Sequence, residues 1–324
     1  MTASSQPLRI GILGAAKIAR AFTKAVAGAE TLKVTAVASR DAANAAAYAK
    51  EEGIPRSFGS YDALIADPDI DAIYNPLPNN MHAEWSIKAV AAGKHVLCEK
   101  PLAVSGAEAR SMFEAARKHN VHLVEAYPYM SQPQTLKVRE LMRSGAIGKP
   151  QLIRSCFGIP FSDPTNIRLK PDLAGGSLMD AGSYAVSFVR LAAGERPSRV
   201  HAVARWSETG VDRTLAGTLE FPSGLIAQIS SSFATCYHRH GLIAGETGTI
   251  ETNYLNHPPI GGSANITVRR GAFATDPAEI VSLPDGNGFL AEALSFARLV
   301  KDGPAFWNGA TAEESIDIAL TLEA

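Results

Sequence analysis

The sequence predicts an α/β protein whose N-terminal part is a doubly wound parallel sheet. Three observations carry that prediction. Short apolar strands alternate with helical segments at an even pitch through the first 126 residues, the pattern of parallel strands joined by helical crossovers. The chain opens on a strand, a glycine turn and a helix. A buried apolar strand, His95 to Cys98, runs out into Glu99-Lys100-Pro101, and open α/β sheets bind ligands just beyond the carboxyl ends of their strands. Pro101 fixes its own φ and biases Lys100 away from helical geometry, so the lysine is held at a defined turn.

Size and composition fit this class. The 324 residues suffice for two domains, and 46% hydrophobic with 19% charged content describes a globular chain. A formal charge of −1 gives no reason to expect nucleic acid or an anionic membrane as a partner. No apolar run is long enough to span a bilayer, and the polar stretch from Met1 to Pro7 leaves no room for a signal peptide. Cys98, Cys156 and Cys236 lie far apart and without metal spacing, which points to reduced thiols in a cytoplasmic protein with no metal.

Taken in order, Leu8 to Leu13 is the first strand. Gly14-x-Ala16-x-x-Ala19 follows, a softened dinucleotide fingerprint, with a helix running to about Ala29. Gly14 supplies the tight turn, Ala16 lets the backbone approach a pyrophosphate, and Ala19 allows close helix–strand packing. Lys17 and Ile18 open that helix and are candidate cofactor contacts. The second strand, Lys33 to Ala38, ends in Ser39-Arg40-Asp41. An acidic residue at this place would hold a ribose 2′-hydroxyl; a hydroxyl and a guanidinium suit a 2′-phosphate, so the expected cofactor is NADP, with NAD the alternative. Asp41 reads as the N-cap of a helix over Ala42 to Glu52, closed by Gly53. A short strand from Arg56 to Phe58 and a short helix from Tyr61 to Ala66 precede a strand from Ile70 to Tyr74. The loop Asn75-Pro76-Leu77-Pro78-Asn79-Asn80 is fixed by its prolines and asparagines, and Asn75, Leu77, Pro78, Asn80 and His82 are candidate cofactor contacts. A helix over His82 to Ala92, another over Ser105 to Asn120 and a strand from Val121 to Val124 complete the domain.

Gly14-x-Ala16, the loop from Asn75 to His82 and Glu99-Lys100-Pro101, in this order, resemble the Gfo/Idh/MocA oxidoreductases. The resemblance covers essentially the whole chain. It implies a Rossmann domain, residues 1–126, and an α/β substrate domain, residues 127–324, with a large open, mostly antiparallel sheet that serves homodimer or homotetramer formation. It also implies an NADP-dependent enzyme moving a hydride between nicotinamide and a sugar or polyol carbon, with Glu99 and Lys100 near the cofactor. The alternatives are a dihydrodiol or aldehyde dehydrogenase on the same fold, or a non-catalytic dinucleotide sensor.

In the second half, a helix over Thr135 to Ser144 and an alternating strand over Gln151 to Phe157 precede Gly175-Gly176-Ser177, which opens a helix. Asp180 and Tyr184, four apart, share one face of that helix. The family motif here is Asp-x-Gly-x-His or Asp-x-Gly-x-Tyr, and the tyrosine form resembles the sugar ketoreductase, xylose and dihydrodiol dehydrogenase branch. The resemblance thus implies a Lys100–Tyr184 acid/base pair supported by Asp180, with Tyr127 as a substrate contact; Arg168 and Lys170, just ahead of the glycine pair, are candidate sugar-hydroxyl contacts, with a solvated loop as the alternative. Strands at Val200 to Trp206, Thr214 to Phe221 and Leu225 to Phe233, a hairpin turn at Pro222-Ser223-Gly224, and a turn and strand from Gly245 to Ile250 build the second sheet. Helices over Gly288 to Val300 and Thr311 to Leu322 close the chain, with Trp307 in packing. His238-Arg239-His240 reads as exposed strand or loop, and His257 as a loop residue.

Overall fold

The computed structural model describes residues 6–163, 165–256, 264–273 and 275–324. The chain gathers into two compact units. The first comprises Met1–Ala103, Ala107–Ser131 and Asn287–Ala312; the second comprises Val104–Gly106, Gln132–Gly286 and Glu313–Ala324. A division at 126/127 leaves the helix that begins at Gly288 in the second domain, whereas in the structure it packs into the first.

The first unit holds six strands: β1 (Leu8–Leu13), β2 (Leu32–Ala38), β3 (Arg56–Phe58), β4 (Ala72–Asn75), β5 (His95–Glu99) and β6 (Leu123–Ala126). All neighbours pair in parallel, in the order β3-β2-β1-β4-β5-β6. This is the dinucleotide-fold order, with its switch point between β1 and β4. The crossovers are α1 (Lys17–Val26), α2 (Ala42–Glu52), α3 (Tyr61–Ile65), α4 (His82–Ala91) and α5 (Gly106–Lys118). On α1, Ala19, Phe22, Thr23 and Val26 fall on one stripe and are buried. Asp41 caps α2 by accepting from the amides of Ala43 and Asn44 at 2.8 and 3.1 Å, and Gly53 ends it at φ 67°.

The second unit contains α6 (Pro133–Arg143), β7 (Pro150–Gly158), α7 (Ser183–Ala193), β8 (Arg199–Trp206), β9 (Asp212–Glu220), β10 (Ile226–Ser232), β11 (His238–Gly245), β12 (Gly248–Thr252), β13 (Ala264–Arg270) and β14 (Ala278–Leu283). The strands order as β14-β13-β12-β11-β7-β10-β9-β8, antiparallel except for the central β7–β10 pair. The expected hairpin turn at Pro222-Ser223-Gly224 joins β9 and β10, with Gly224 at φ 87°. The strands β13 and β14 were not foreseen. Leu178–Gly182 also departs from expectation: it winds as a π-helical turn before α7, so the α-helical spacing expected for Asp180 and Tyr184 does not hold through it.

The last two helices are α8 (Gly288–Asp302) and α9 (Ala312–Glu323). Phe289, Ala293 and Phe296 of α8 lie on one face and join Ile10, Ile12 and Phe22 in the core of the first unit. Trp307 packs against the same cluster. In the second unit Arg190 of α7 and Asp317 of α9, both buried, form an ion pair at 2.9 Å. No described helix is long and apolar enough to cross a membrane.

Candidate active site

In the first unit, Gly14 turns the chain at φ 88°, and a Cβ there would stand 3.0 Å from Leu77. Ala16 precedes α1 and makes no side-chain cap. Lys17 and Ile18 are exposed on the first turn. An uncapped helix start behind a glycine turn fits the pyrophosphate of a dinucleotide. At the end of β2, Arg40 is exposed, and Ser39 is buried with its hydroxyl accepting from the Asp41 amide at 3.3 Å. Arg40 hydrogen-bonds the Tyr61 phenol; burial pushes that phenol's pKa up and the guanidinium partly offsets the rise.

The loop after β4 is pinned from within. The amide nitrogen of Asn75 donates to the Ser86 hydroxyl at 3.0 Å and the His82 carbonyl at 3.3 Å, while its oxygen accepts from the Leu77 amide at 3.3 Å. Asn75 is fully buried, so its side chain shapes the loop. The loop's surface is carried by half-buried Pro78 and exposed Asn80, with Leu77 largely covered. His82 is buried as well. Its Nε2 lies 2.7 Å from the Leu77 carbonyl and its Nδ1 lies 2.8 Å from the Pro101 carbonyl. Burial pushes this imidazole's pKa down against those two carbonyls.

The Pro101 carbonyl belongs to the turn that ends β5. Glu99 accepts from the Tyr74 hydroxyl at 2.6 Å and from the Lys100 amide at 3.3 Å. Glu125 of β6 accepts from the Leu102 amide at 2.8 Å. The Lys100–Pro101 peptide bond is cis. Three buried side chains, Glu99, His82 and Glu125, therefore fix the backbone on which half-buried Lys100 stands. Tyr127 is fully buried, edge-on to Tyr129 at 6.0 Å, and the structure gives it packing rather than an open face.

In the second unit, Gly176 stands at φ 119°, where a Cβ would meet Asp212 at 2.2 Å. Asp212 of β9 accepts from the Ser177 hydroxyl at 2.6 Å and the Leu178 amide at 2.8 Å, which anchors the π-helical turn. Asp180 in that turn pairs with Arg168 at 2.6 Å, and Lys170 is exposed. Tyr184, at the start of α7, is 6% exposed. Its hydroxyl oxygen accepts from the Asn256 amide nitrogen at 3.0 Å, and its ring meets Phe157 edge-on at 5.6 Å. The Arg239 guanidinium lies 4.3 Å from the centre of that ring.

Arg239 and Asn256 are functional candidates that the sequence reading missed, and the reading of Arg239 as exposed is corrected. His238 and His240 point outward, but Arg239 is buried. The signal was strand alternation: Arg239 shares its face with Gly241 and Ile243, both buried. A Cβ on Gly241 would press into the Phe188 ring of α7 at 2.6 Å, so this face packs against the helix that carries Tyr184. His257 lies outside the described residues. Among the described residues, no group of three or more His, Cys, Asp or Glu side chains could hold a metal ion.

Residues 8–127 match the model of an oxidoreductase family with an NAD-binding Rossmann fold, and residues 135–251 match the Gfo/Idh/MocA C-terminal domain. The D-xylose 1-dehydrogenase (NADP+) 2 of Haloferax volcanii is 38% identical over 98% of this chain and 96% of its own. The trans-1,2-dihydrobenzene-1,2-diol dehydrogenase of Danio rerio is 36% identical over 75% of this chain and 74% of its own. A crystal structure of a 3-ketoreductase from Actinomadura kijaniata with NADP and TDP-benzene superposes with a TM-score of 0.86 at 30% identity, covering 98% of this chain and 96% of that one. With the strand order, the Gly14 turn and the Glu99-Lys100-Pro101 turn all in place, the chain belongs to the Gfo/Idh/MocA oxidoreductase family.

Proposed function

We propose that the protein is an NADP-dependent oxidoreductase that transfers a hydride between nicotinamide and the carbonyl or hydroxyl carbon of a sugar or polyol. The observation that carries this reading is Lys100, held at the carboxyl end of β5 by Glu99, His82 and Glu125. Ser39 and Arg40 stand where an acidic residue would select NAD, and the NADP named for the Haloferax and Actinomadura relatives supports the choice.

NADPH, when bound, supplies the hydride to the carbonyl carbon. Lys100 stabilises the negative charge that develops on the carbonyl oxygen. The O–H bond of Tyr184 breaks and its proton passes to that oxygen, leaving a phenolate that regains a proton from solvent; oxidation runs the reverse. Asp180 and Arg168 orient substrate hydroxyls, with Lys170 at the exposed rim, and Tyr127 acts through packing. Leu77, Pro78 and Asn80 offer the loop surface to the nicotinamide side. The three free cysteines agree with a reducing, cytoplasmic setting.

The outer face of the eight-stranded sheet is the proposed surface for self-association. The row Val203, Ala216, Ser230, Cys156 and His240 crosses five strands, and Val203 is 76% exposed. An open depression of about 860 Å³ runs over this row. A face of this kind is normally covered by a partner.

The test is Lys100→Met assayed with NADPH and NADH against keto sugars, D-xylose and a dihydrodiol. We expect kcat to fall by about 10²-fold or more while NADPH still binds, as followed by its fluorescence. Turnover near the wild-type value would remove Lys100 from the chemistry, and preference for NADH would overturn the assignment of Ser39 and Arg40.

A further inference from the structure

Tyr184 sits in a setting that an ordinary buried tyrosine does not need. Arg239 is 8% exposed, and its guanidinium lies 4.3 Å from the Tyr184 ring, 4.4 Å from Tyr254 and 4.9 Å from Phe157. A cation set over an aromatic face is drawn to that face and favours further negative charge there. Asn256 approaches from the segment after β12 and turns an N–H donor, not its carbonyl, towards the phenol oxygen. Both groups favour negative charge on that oxygen.

We propose that Arg239 and Asn256 are positioning residues that stabilise the phenolate form of Tyr184, so that its proton moves readily to and from the substrate oxygen. The inference rests on the reading of Tyr184 as the proton donor.

The neighbouring phenol feels the same cation. Tyr254 stacks on the same guanidinium, yet its hydroxyl donates to the Cys156 carbonyl at 3.3 Å and pairs with the Ser155 hydroxyl at 2.9 Å. Burial pushes it up to about 12, with the Arg239 charge and hydrogen bond offsetting part of the rise, so it stays protonated. Tyr184 has the same guanidinium over its ring and, in addition, the Asn256 donor aimed at its oxygen. The other ionisable groups around the start of α7 carry their own partners: Asp180 pairs with Arg168, and Asp212 of β9 takes the Ser177 hydroxyl and the Leu178 amide. From β7 and β10 the helix meets the uncharged Phe157 and Ser231. At the far end of α7, Arg190 is neutralised by Asp317. Arg239 is thus the cation set directly against the Tyr184 ring.

The test compares Arg239→Met, Arg239→Lys and Asn256→Leu with wild type in the oxidation direction. In wild type, kcat rises along an acidic limb as Tyr184 loses its proton. Arg239→Met is expected to move that limb upward by about one pH unit, lowering kcat near neutrality about tenfold, and Arg239→Lys to restore most of it. A second readout needs no turnover: phenolate ultraviolet absorbance, titrated in wild type and subtracted against Tyr184→Phe, isolates the Tyr184 transition. That midpoint should rise in Arg239→Met and, by less, in Asn256→Leu. Unmoved midpoints in folded Arg239→Lys and Asn256→Leu, whatever happens to kcat, would overturn the inference. Wild-type turnover in Tyr184→Phe would instead sink the donor reading and leave the optical result standing.

Discussion

Glu292 shows what a single side chain can impose on the pH response of a fold. It lies on the buried face of α8 and is 1% exposed, and neither of its carboxyl oxygens has a hydrogen-bond partner among the described residues. Burial, together with the charges of Glu99 and Glu125, raises its pKa well above the ordinary carboxyl value. The folded protein therefore holds a proton that the unfolded chain gives up from about pH 4.5. With more protons bound in the folded state, this group's contribution to stability is fully present below that value and is lost as pH rises towards the folded pKa. Glu292→Gln should abolish this component: its urea midpoint should lose the decline above pH 4.5 that wild type shows. Equal slopes for the two proteins would mean that Glu292 is ionised in the fold. Lys100 belongs to the same scale. Its use depends on a backbone fixed by Glu99, His82 and Glu125, so its value is positional before it is chemical.

At the scale of elements, α7 is tied to α9 by the Arg190–Asp317 pair. A buried pair adds little net stability, because desolvation offsets attraction, but removing one partner strands the other. Asp317→Ala should cost about 3 kcal/mol or more in chemical denaturation, and replacing both residues with apolar ones should recover much of the loss. A double variant no better than Asp317→Ala would show that the pair does more than neutralise itself. β11 also packs on α7, where Gly241 leaves room for Phe188.

These elements also show what can be read from a chain. The parallel sheet, the Gly14 turn, the Asp41 cap and the Pro222–Gly224 hairpin were legible because each rests on local chemistry: alternation, a positive φ, a carboxylate before a helix. The burial of Arg239 was not, because His-Arg-His looks polar until its phase with Gly241 and Ile243 is followed. The π-helical turn was hidden because the residues of Leu178–Gly182 suit an α-helix equally well; Asp212, from a distant strand, anchors it. The strands β13 and β14 carry enough charge, at Arg269, Arg270 and Glu279, to pass as loop. The placement of α8 has no local signature, since amphipathicity says that a helix packs but not on which sheet.

On the scale of the whole molecule, the uncovered sheet face has an expected consequence in solution. Sedimentation should show a dimer or tetramer at micromolar concentration, and the double substitution Val203→Asp and Ala216→Asp should shift it to the monomer through like-charge repulsion across the row. A monomeric wild type would end the proposal. The other long-range feature is the return of α8 to the first unit. A growing polypeptide leaves the ribosome N-terminus first and begins to fold as it emerges. Here the nucleotide domain cannot fill its interior until Phe289, Ala293 and Phe296 have been translated. Its last core layer arrives only after every strand of the second sheet has been made. Chains that stop short of α8 should emerge with a sticky, unfinished sheet, so that a late segment acts as a check on an early one.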